Sequence, residues 1–202
     1  MVTTRQDERF VQVPTVEMST RQHGAANYVW GVLRLLIGFE FLWAFLDKTW
    51  GLGFATERAD AWVNGGSPAS GAVMFALHGP FQGFYETITG GQAVVFGPDG
   101  VPGGGAPVAT WVDWVYMLSM LLIGLGLVTG VMTRLAAIGG IAWMAIFYTA
   151  TAIWPEFNPF VDEHVIAAGA LVGIAIVDAG RYLGLGPIWQ RFRVAQRHPI
   201  LH

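Results

Sequence analysis

Four stretches of this 202-residue chain stay apolar for about 20 residues at a time, and that repetition constrains the fold more than any other feature. They fall at residues 27–46, 111–130, 135–154 and 165–185. Such runs are longer than an ordinary buried helix needs and match the thickness of a bilayer's hydrocarbon core. Hydrocarbon offers no partner to backbone N–H and C=O groups, so only helices and closed barrels span it. No alternating barrel pattern is present, and the windows therefore predict transmembrane α-helices. Charge content agrees. Only 12% of residues are charged and 53% are hydrophobic, against about 25% charged in a soluble domain. The fold class expected is an all-α membrane protein, a four-transmembrane-helix bundle with a long outer segment, 47–110, that contains short interfacial helices.

Basic residues orient the bundle. With both termini cytoplasmic, the inner side holds Arg5, Arg9, Arg21, Arg134, Arg181, Arg191, Arg193 and Arg197, and the outer side only Lys48 and Arg58. Acidic residues from Asp47 to Asp113 and from Glu156 to Glu163 fall outside. The reading is a cytoplasmic polar tail over 1–26, a transmembrane domain over 27–189, and a basic cytoplasmic tail over 190–202 in the cell membrane. The first 26 residues lack an apolar core followed by a small-residue cleavage site, so no signal peptide is expected. Cysteine is absent, which removes thiolate nucleophiles, Cys-ligated zinc and iron–sulfur clusters. A net charge of −3 leaves no basic face for nucleic acid. Small residues four apart, Gly126/Gly130 and Gly169/Gly173, with Gly139 and Gly140, suggest close helix approach in lipid.

The outer segment begins rich in aromatic and small residues, and its stretch from Gly71 to Tyr85 reads as one or two amphipathic interfacial helices. Residues 90–107, Gly/Pro-rich and almost without charge, read as a flexible turn. Within this region Leu46-Asp47-Lys48-Thr49-Trp50-Gly51-Leu52-Gly53-Phe54, Trp62-Val63-Asn64-Gly65-Gly66-Ser67-Pro68 and Gly79-Pro80-Phe81 stand out, as does Asn158-Pro159-Phe160-Val161-Asp162-Glu163-His164 before the fourth window. Together with the number and spacing of helices, these strings resemble the DoxX/DoxD family of small membrane proteins. The resemblance runs from about Tyr28 to Trp189. It implies a DoxD-like subunit of a thiosulfate:quinone oxidoreductase, with quinone as electron acceptor and a second redox subunit as partner. No haem, flavin or iron–sulfur cluster is implied.

Candidate residues follow from depth. Glu40 lies about 9 Å inside the outer boundary at 1.5 Å per residue, with Tyr148 and Ser119 at a similar depth. A carboxyl group in hydrocarbon marks a functional site or a specific partner. Beside Tyr148, Glu40 is placed either to bind a quinone carbonyl and accept a proton, or to hold the bundle in register. In the inner leaflet, Arg34 and Asp178 read as a structural pair, with Arg181 nearby. At the outer ends, Asp47 and Lys48, Asp113, and Asp162-Glu163-His164 converge. Asp162 and Glu163 suit capping of the fourth helix. His164, with Lys48 and His78, suits binding of a small anion or proton transfer. Glu40, His164 and Lys48 are thus the catalytic candidates, and Lys48, His78, Tyr148 and Asp113 the substrate-binding ones. No metal-ligand motif is present. Trp residues near the predicted boundaries form an aromatic belt.

Two roles compete: a quinone-linked oxidoreductase subunit acting on a thiosulfate-like compound at the outer face, and a non-catalytic scaffold of a larger redox complex. The lipid bilayer is the partner in either case, and self-association is compatible with both. A solute carrier is disfavoured by the lack of a broken-helix pair.

Overall fold

The computed structural model describes residues 20–96, 102–155 and 159–201. The predicted basic residues Arg5 and Arg9, and Asp99, Glu156 and Asn158, lie outside these. Helix α1 spans Thr20–Trp50, starting inside the expected tail and running four residues past the expected end. Two short 3-10 turns, Arg58–Asp60 and Trp62–Asn64, a π-helical turn, Ser70–Met74, and helix α2, Gln82–Thr89, follow. Strands β1, Gln92–Phe96, and β2, Pro102–Ala106, pair antiparallel with Val94 opposite Gly104. Helix α3 covers Thr110–Thr129, and α4 covers Thr133–Phe147 before a π-helical turn at Tyr148–Ala152. Helix α5 is Glu163–Ile176; short α6, Gly186–Trp189, and α7, Arg193–Arg197, end the chain with a 3-10 turn, Pro199–Leu201.

Three helical segments, Gly24–Trp50, Thr110–Thr129 and Thr133–Ala152, are long and apolar enough to cross a membrane. Their outward faces are apolar as well: Leu36, Leu122 and Ile138 are all exposed. A soluble bundle would put polar residues there; a lipid-facing one would not. The fourth window differs from expectation. Its helix has 14 residues, about 21 Å, and stops at Ile176 rather than continuing to residue 185. Asp178 takes a left-handed conformation, φ 53°, and the chain folds back beneath the helix ends through glycines 180, 184 and 186. A Cβ at Gly186 would stand 2.4 Å from the Gly180 carbonyl oxygen, so the fold-back needs that glycine. Hydropathy alone ran the window through this turn because Ala179, Leu183 and Leu185 are apolar.

The helices pack in a cycle, α1 on α3, α3 on α4, α4 on α5 and α5 on α1. At the α1–α3 contact, an added Cβ on Gly38 would meet the Leu127 Cβ at 2.7 Å, and one on Gly124 the Leu42 backbone nitrogen at 2.7 Å. Gly173 of the expected small-residue pairs lies against the Trp30 ring, but a Cβ added at Gly169 would meet no other part of the protein within 4 Å. Only half of that pair is a packing device.

Residues 90–107 also depart from expectation, because β1 and β2 make a hairpin where a flexible turn was predicted. The β-branched and aromatic run Val94-Val95-Phe96, followed by a Gly/Pro-rich return, is the signal for it. Glu86 of α2 ties the hairpin down, its Oε1 accepting from the Gln82 side chain at 3.1 Å and the Ala93 backbone N–H at 3.0 Å. The Ala93 bond, then the Gln82 bond, holds the Glu86 carboxyl below its ordinary range. A depressed carboxylate stabilises above its unfolded value, near 4.3, and that contribution is lost as pH falls through the lower folded value. Hydrogen-exchange protection of the 92–96 amides is therefore expected to drop on acidification below about pH 4. Glu86→Gln, which keeps an acceptor oxygen but cannot titrate, is expected to remove the pH dependence.

The basic tail is folded as well. Arg134 donates to the Pro199 carbonyl at 3.0 Å, and the Trp189 indole N–H donates to the Leu201 carbonyl.

Candidate functional site

One cavity of about 360 Å³ receives side chains from α1, α3, α4 and α5. From α1 come Ile37, Glu40, Phe41 and Ala44; from α3, Tyr116 and Met120. Met144 and Phe147 of α4 and Glu163, His164 and Ala167 of α5 complete the lining. The spacing 37/40/41/44 is one face of a helix, and 116/120 and 163/167 repeat it at i, i+4. The walls are thus aliphatic, aromatic and thioether, with four polar groups among them. Apolar walls with a few polar groups among them are the usual composition of a small-molecule site.

The polar groups divide by depth. Glu40 and Glu163 are exposed and stand at the mouth, while Tyr116 is only 2% exposed. Among the described residues nothing hydrogen-bonds the Tyr116 hydroxyl, although the ring is fixed at right angles to Trp143, 5.1 Å between centroids. A buried phenol normally finds a partner. His164 is oriented from behind: its Nδ1 donates to Asp162 Oδ2 at 2.5 Å, and its ring lies 5.7 Å from that of Phe147. Asp162 Oδ1 accepts from the Val165 N–H at 3.1 Å, so one carboxylate both caps α5 and sets the imidazole. That leaves Nε2 of His164 as the atom available for exchange with a ligand. Asp162, Glu163 and His164 also bring ligand atoms within 4.8 Å of one another, close enough to share a cation, although Asp162 is already engaged twice.

The structure therefore joins Glu40 and His164 of the predicted candidates, and adds Tyr116 and Glu163. The others are elsewhere. Tyr148 is one residue past Phe147, about 100° around the helix, and its hydroxyl donates to the Phe160 carbonyl at 3.0 Å. Ser119 accepts from the Trp143 indole at 2.7 Å and donates to the Tyr116 carbonyl. Asp113 is buried and accepts from Ser67 Oγ at 2.9 Å and the Ala69 N–H at 2.8 Å. It anchors the outer segment to α3 and does not line the cavity. Asp47 does the same for the loop after α1, accepting from the Ala55 N–H at 3.0 Å. His78 is exposed; its backbone N–H donates at 3.0 Å to the Ala150 carbonyl, which the π-helical turn frees, and its ring bonds Ala76. Lys48 is half-buried at the end of α1 and does not line the cavity.

The predicted Arg34–Asp178 pair is not formed. Arg34, fully buried, donates from Nη1 to the Leu127 and Val128 carbonyls and from Nη2 to those of Tyr182 and Leu183, at 3.1 and 3.0 Å for the latter two. The last carbonyls of α3 have no N–H partner within the helix, and the helix dipole makes them a cation site. They outcompete Asp178, which pairs instead with Arg181 Nε at 2.5 Å and the Gln190 amide at 3.0 Å.

No family model matches the chain, and neither a curated protein nor a solved structure matches it.

Proposed function

We propose that the chain crosses the membrane four times with both termini cytoplasmic, and that its outer-half cavity takes a quinone headgroup. The observation that carries this reading is an apolar cavity, open beside Glu40, with a buried phenol that lacks a partner at its back. Four crossings are supported by the packing of apolar α5 into one cycle with the three longer apolar helices. The basic residues Arg134, Arg181, Arg191, Arg193 and Arg197 lie on the end where α3 meets α4, as the positive-inside rule requires of a cytoplasmic end.

A quinone, when bound, supplies a two-electron, two-proton acceptor. Tyr116 donates a hydrogen bond to a carbonyl at the back of the cavity. Glu40 and His164 hold and exchange protons at its mouth, with Asp162 keeping the imidazole in place. On the resemblance to DoxX/DoxD proteins, the chain is the membrane subunit of a quinone-linked oxidoreductase, a thiosulfate dehydrogenase (quinone) type, acting on a small sulfur compound at the outer face. A second subunit then oxidises that compound, since the chain has no thiol. The alternative is a non-catalytic scaffold of a larger redox complex; the exposed outer aromatics Phe54, Phe81 and Phe84 favour it.

Binding of a ubiquinone analogue to the full chain in lipid nanodiscs separates the two. Tyr116→Phe removes one hydrogen bond and is expected to weaken binding about three- to tenfold. Glu40→Gln, which changes a group at the mouth but removes no bond to the bound ring, is expected to leave affinity close to wild type. Absence of quinone binding, or binding indifferent to Tyr116→Phe, favours the scaffold.

A further inference from the structure

Between Ala179 and His202 the chain carries four arginines, two histidines and no acidic residue, in a protein whose net charge is −3. This segment is held against the helix ends at three points. The Leu185 N–H donates to the Thr129 carbonyl at 2.7 Å, the Gln190 amide to Asp178 at 3.0 Å, and Arg134 to the Pro199 carbonyl at 3.0 Å. Thr129 ends the apolar stretch of α3 and Thr133 begins that of α4. The segment therefore lies at the level where hydrocarbon gives way to headgroups.

Its exposed side chains are of two kinds. Ile188, Phe192 and Val194 are each about half exposed, and the exposed Arg191, Arg193 and Arg197 are interleaved with them. Among the described residues no carboxylate pairs with these three guanidinium groups. Water is a poor neighbour for the apolar three and hydrocarbon for the charged three; a bilayer interface suits both. Leu183 and Leu185, exposed just before, continue the apolar outer surface of the bundle into the segment, so bilayer already adjoins it.

We propose that residues 186–197 form a binding surface for anionic phospholipids of the inner leaflet. The inference rests on the membrane reading of the bundle and not on the quinone cavity. Arg191, Arg193 and Arg197 meet the phosphates, which a planar guanidinium can hold with two parallel hydrogen bonds. Ile188, Phe192 and Val194 sit among the first acyl carbons. A zwitterionic lipid offers a phosphate too, but its own cation cancels the charge. Each arginine near the surface therefore favours an anionic lipid about fivefold.

The test uses the full chain in nanodiscs of equimolar phosphatidylcholine and phosphatidylglycerol, and native mass spectrometry counts the lipids retained on release. Wild type is expected to retain phosphatidylglycerol about fivefold over phosphatidylcholine, and less so after incubation at high salt. Replacing Arg191, Arg193 and Arg197 together by Gln is expected to abolish the preference, and replacing them by Lys, which keeps the charge, to preserve most of it. A second measurement does not depend on those variants. The chain has no cysteine, so Val194→Cys gives a single nitroxide site. That nitroxide is expected to be relaxed by oxygen dissolved in the bilayer and shielded from an aqueous nickel chelate. No preference in wild type, an unchanged preference in the Gln variant, or a nitroxide freely relaxed by the nickel chelate overturns the assignment. Spin–spin broadening that dilution with unlabelled protein removes would assign the surface to a second copy and overturn it equally. Release of wild type from vesicles by alkaline carbonate would instead sink the membrane reading itself.

Discussion

Arg34→Met is expected to leave little folded protein. The guanidinium is fully buried and fills a junction of two segments: the last turn of α3 and the fold-back after α5. Four backbone carbonyls lose their donor together when it is removed. Each buried acceptor left without a donor costs about 1–3 kcal/mol, so losing four at once removes a large share of a domain's stability. Methionine restores the volume but none of the hydrogen bonds, so the loss does not depend on a cavity. Arg34→Lys is the informative companion. Lysine keeps the charge, but its donors radiate from one nitrogen and cannot fork between the Leu127/Val128 pair and the Tyr182/Leu183 pair. Partial recovery is expected, with the fold-back from Asp178 to Trp189 more open to protease than in wild type. Unfolding in detergent followed by tryptophan fluorescence, together with limited proteolysis, reads both effects. Equal stability of Arg34→Met and wild type would show that the carbonyls find water instead.

Gly124→Leu is expected to separate α1 from α3. A Cβ there would lie 2.7 Å from the Leu42 nitrogen and 2.8 Å from its Cα, backbone atoms that cannot rotate away. A Cβ at Gly38 would meet α3 from the other side, 2.8 Å from the Val128 nitrogen, so the two helices are interlocked. Overpacking costs about 1–3 kcal/mol where side chains give way, and more where only a helix shift relieves it. Such a shift moves Glu40 and Phe41 away from Tyr116 and widens the cavity between them. The expected result is a lower unfolding midpoint and weaker quinone binding together. Gly169→Leu, at a position where an added Cβ points into open space, is expected to change neither.

Those two glycines show what the sequence makes legible. Spacing identified small residues in the helices, but which of them meet a neighbour depends on rotation about each helix axis, and hydropathy carries no such angle. The site has the same history. Depth along a helix put Glu40 and Tyr148 at one level, and the 1.5 Å rise makes that estimate sound. Direction around the helix decided the partner, and Tyr116 on α3 took the place given to Tyr148. A pattern for it was present: Asp113, Tyr116, Met117, Met120, Gly124 and Leu127 share one buried face, spaced as an inward stripe. The end of α5 is hidden differently, since Asp178 pairs locally with Arg181 and an apolar segment turns without a visible break. Arg34 was recognised as structural, but a carboxylate was assumed as its partner because helix-end carbonyls carry no letter in a sequence.

The direct test of the account is where a quinone sits. Full-length protein in nanodiscs is irradiated with a photoactivatable azidoquinone, with and without excess unmodified quinone, and the labelled peptides are mapped by mass spectrometry. Label that the competitor removes is expected on α1 near Glu40 and Ala44, on α3 between Tyr116 and Met120, or on α5 near His164 and Ala167. Label confined to the aromatic outer segment, or label that excess quinone does not displace, would contradict the assignment of this cavity.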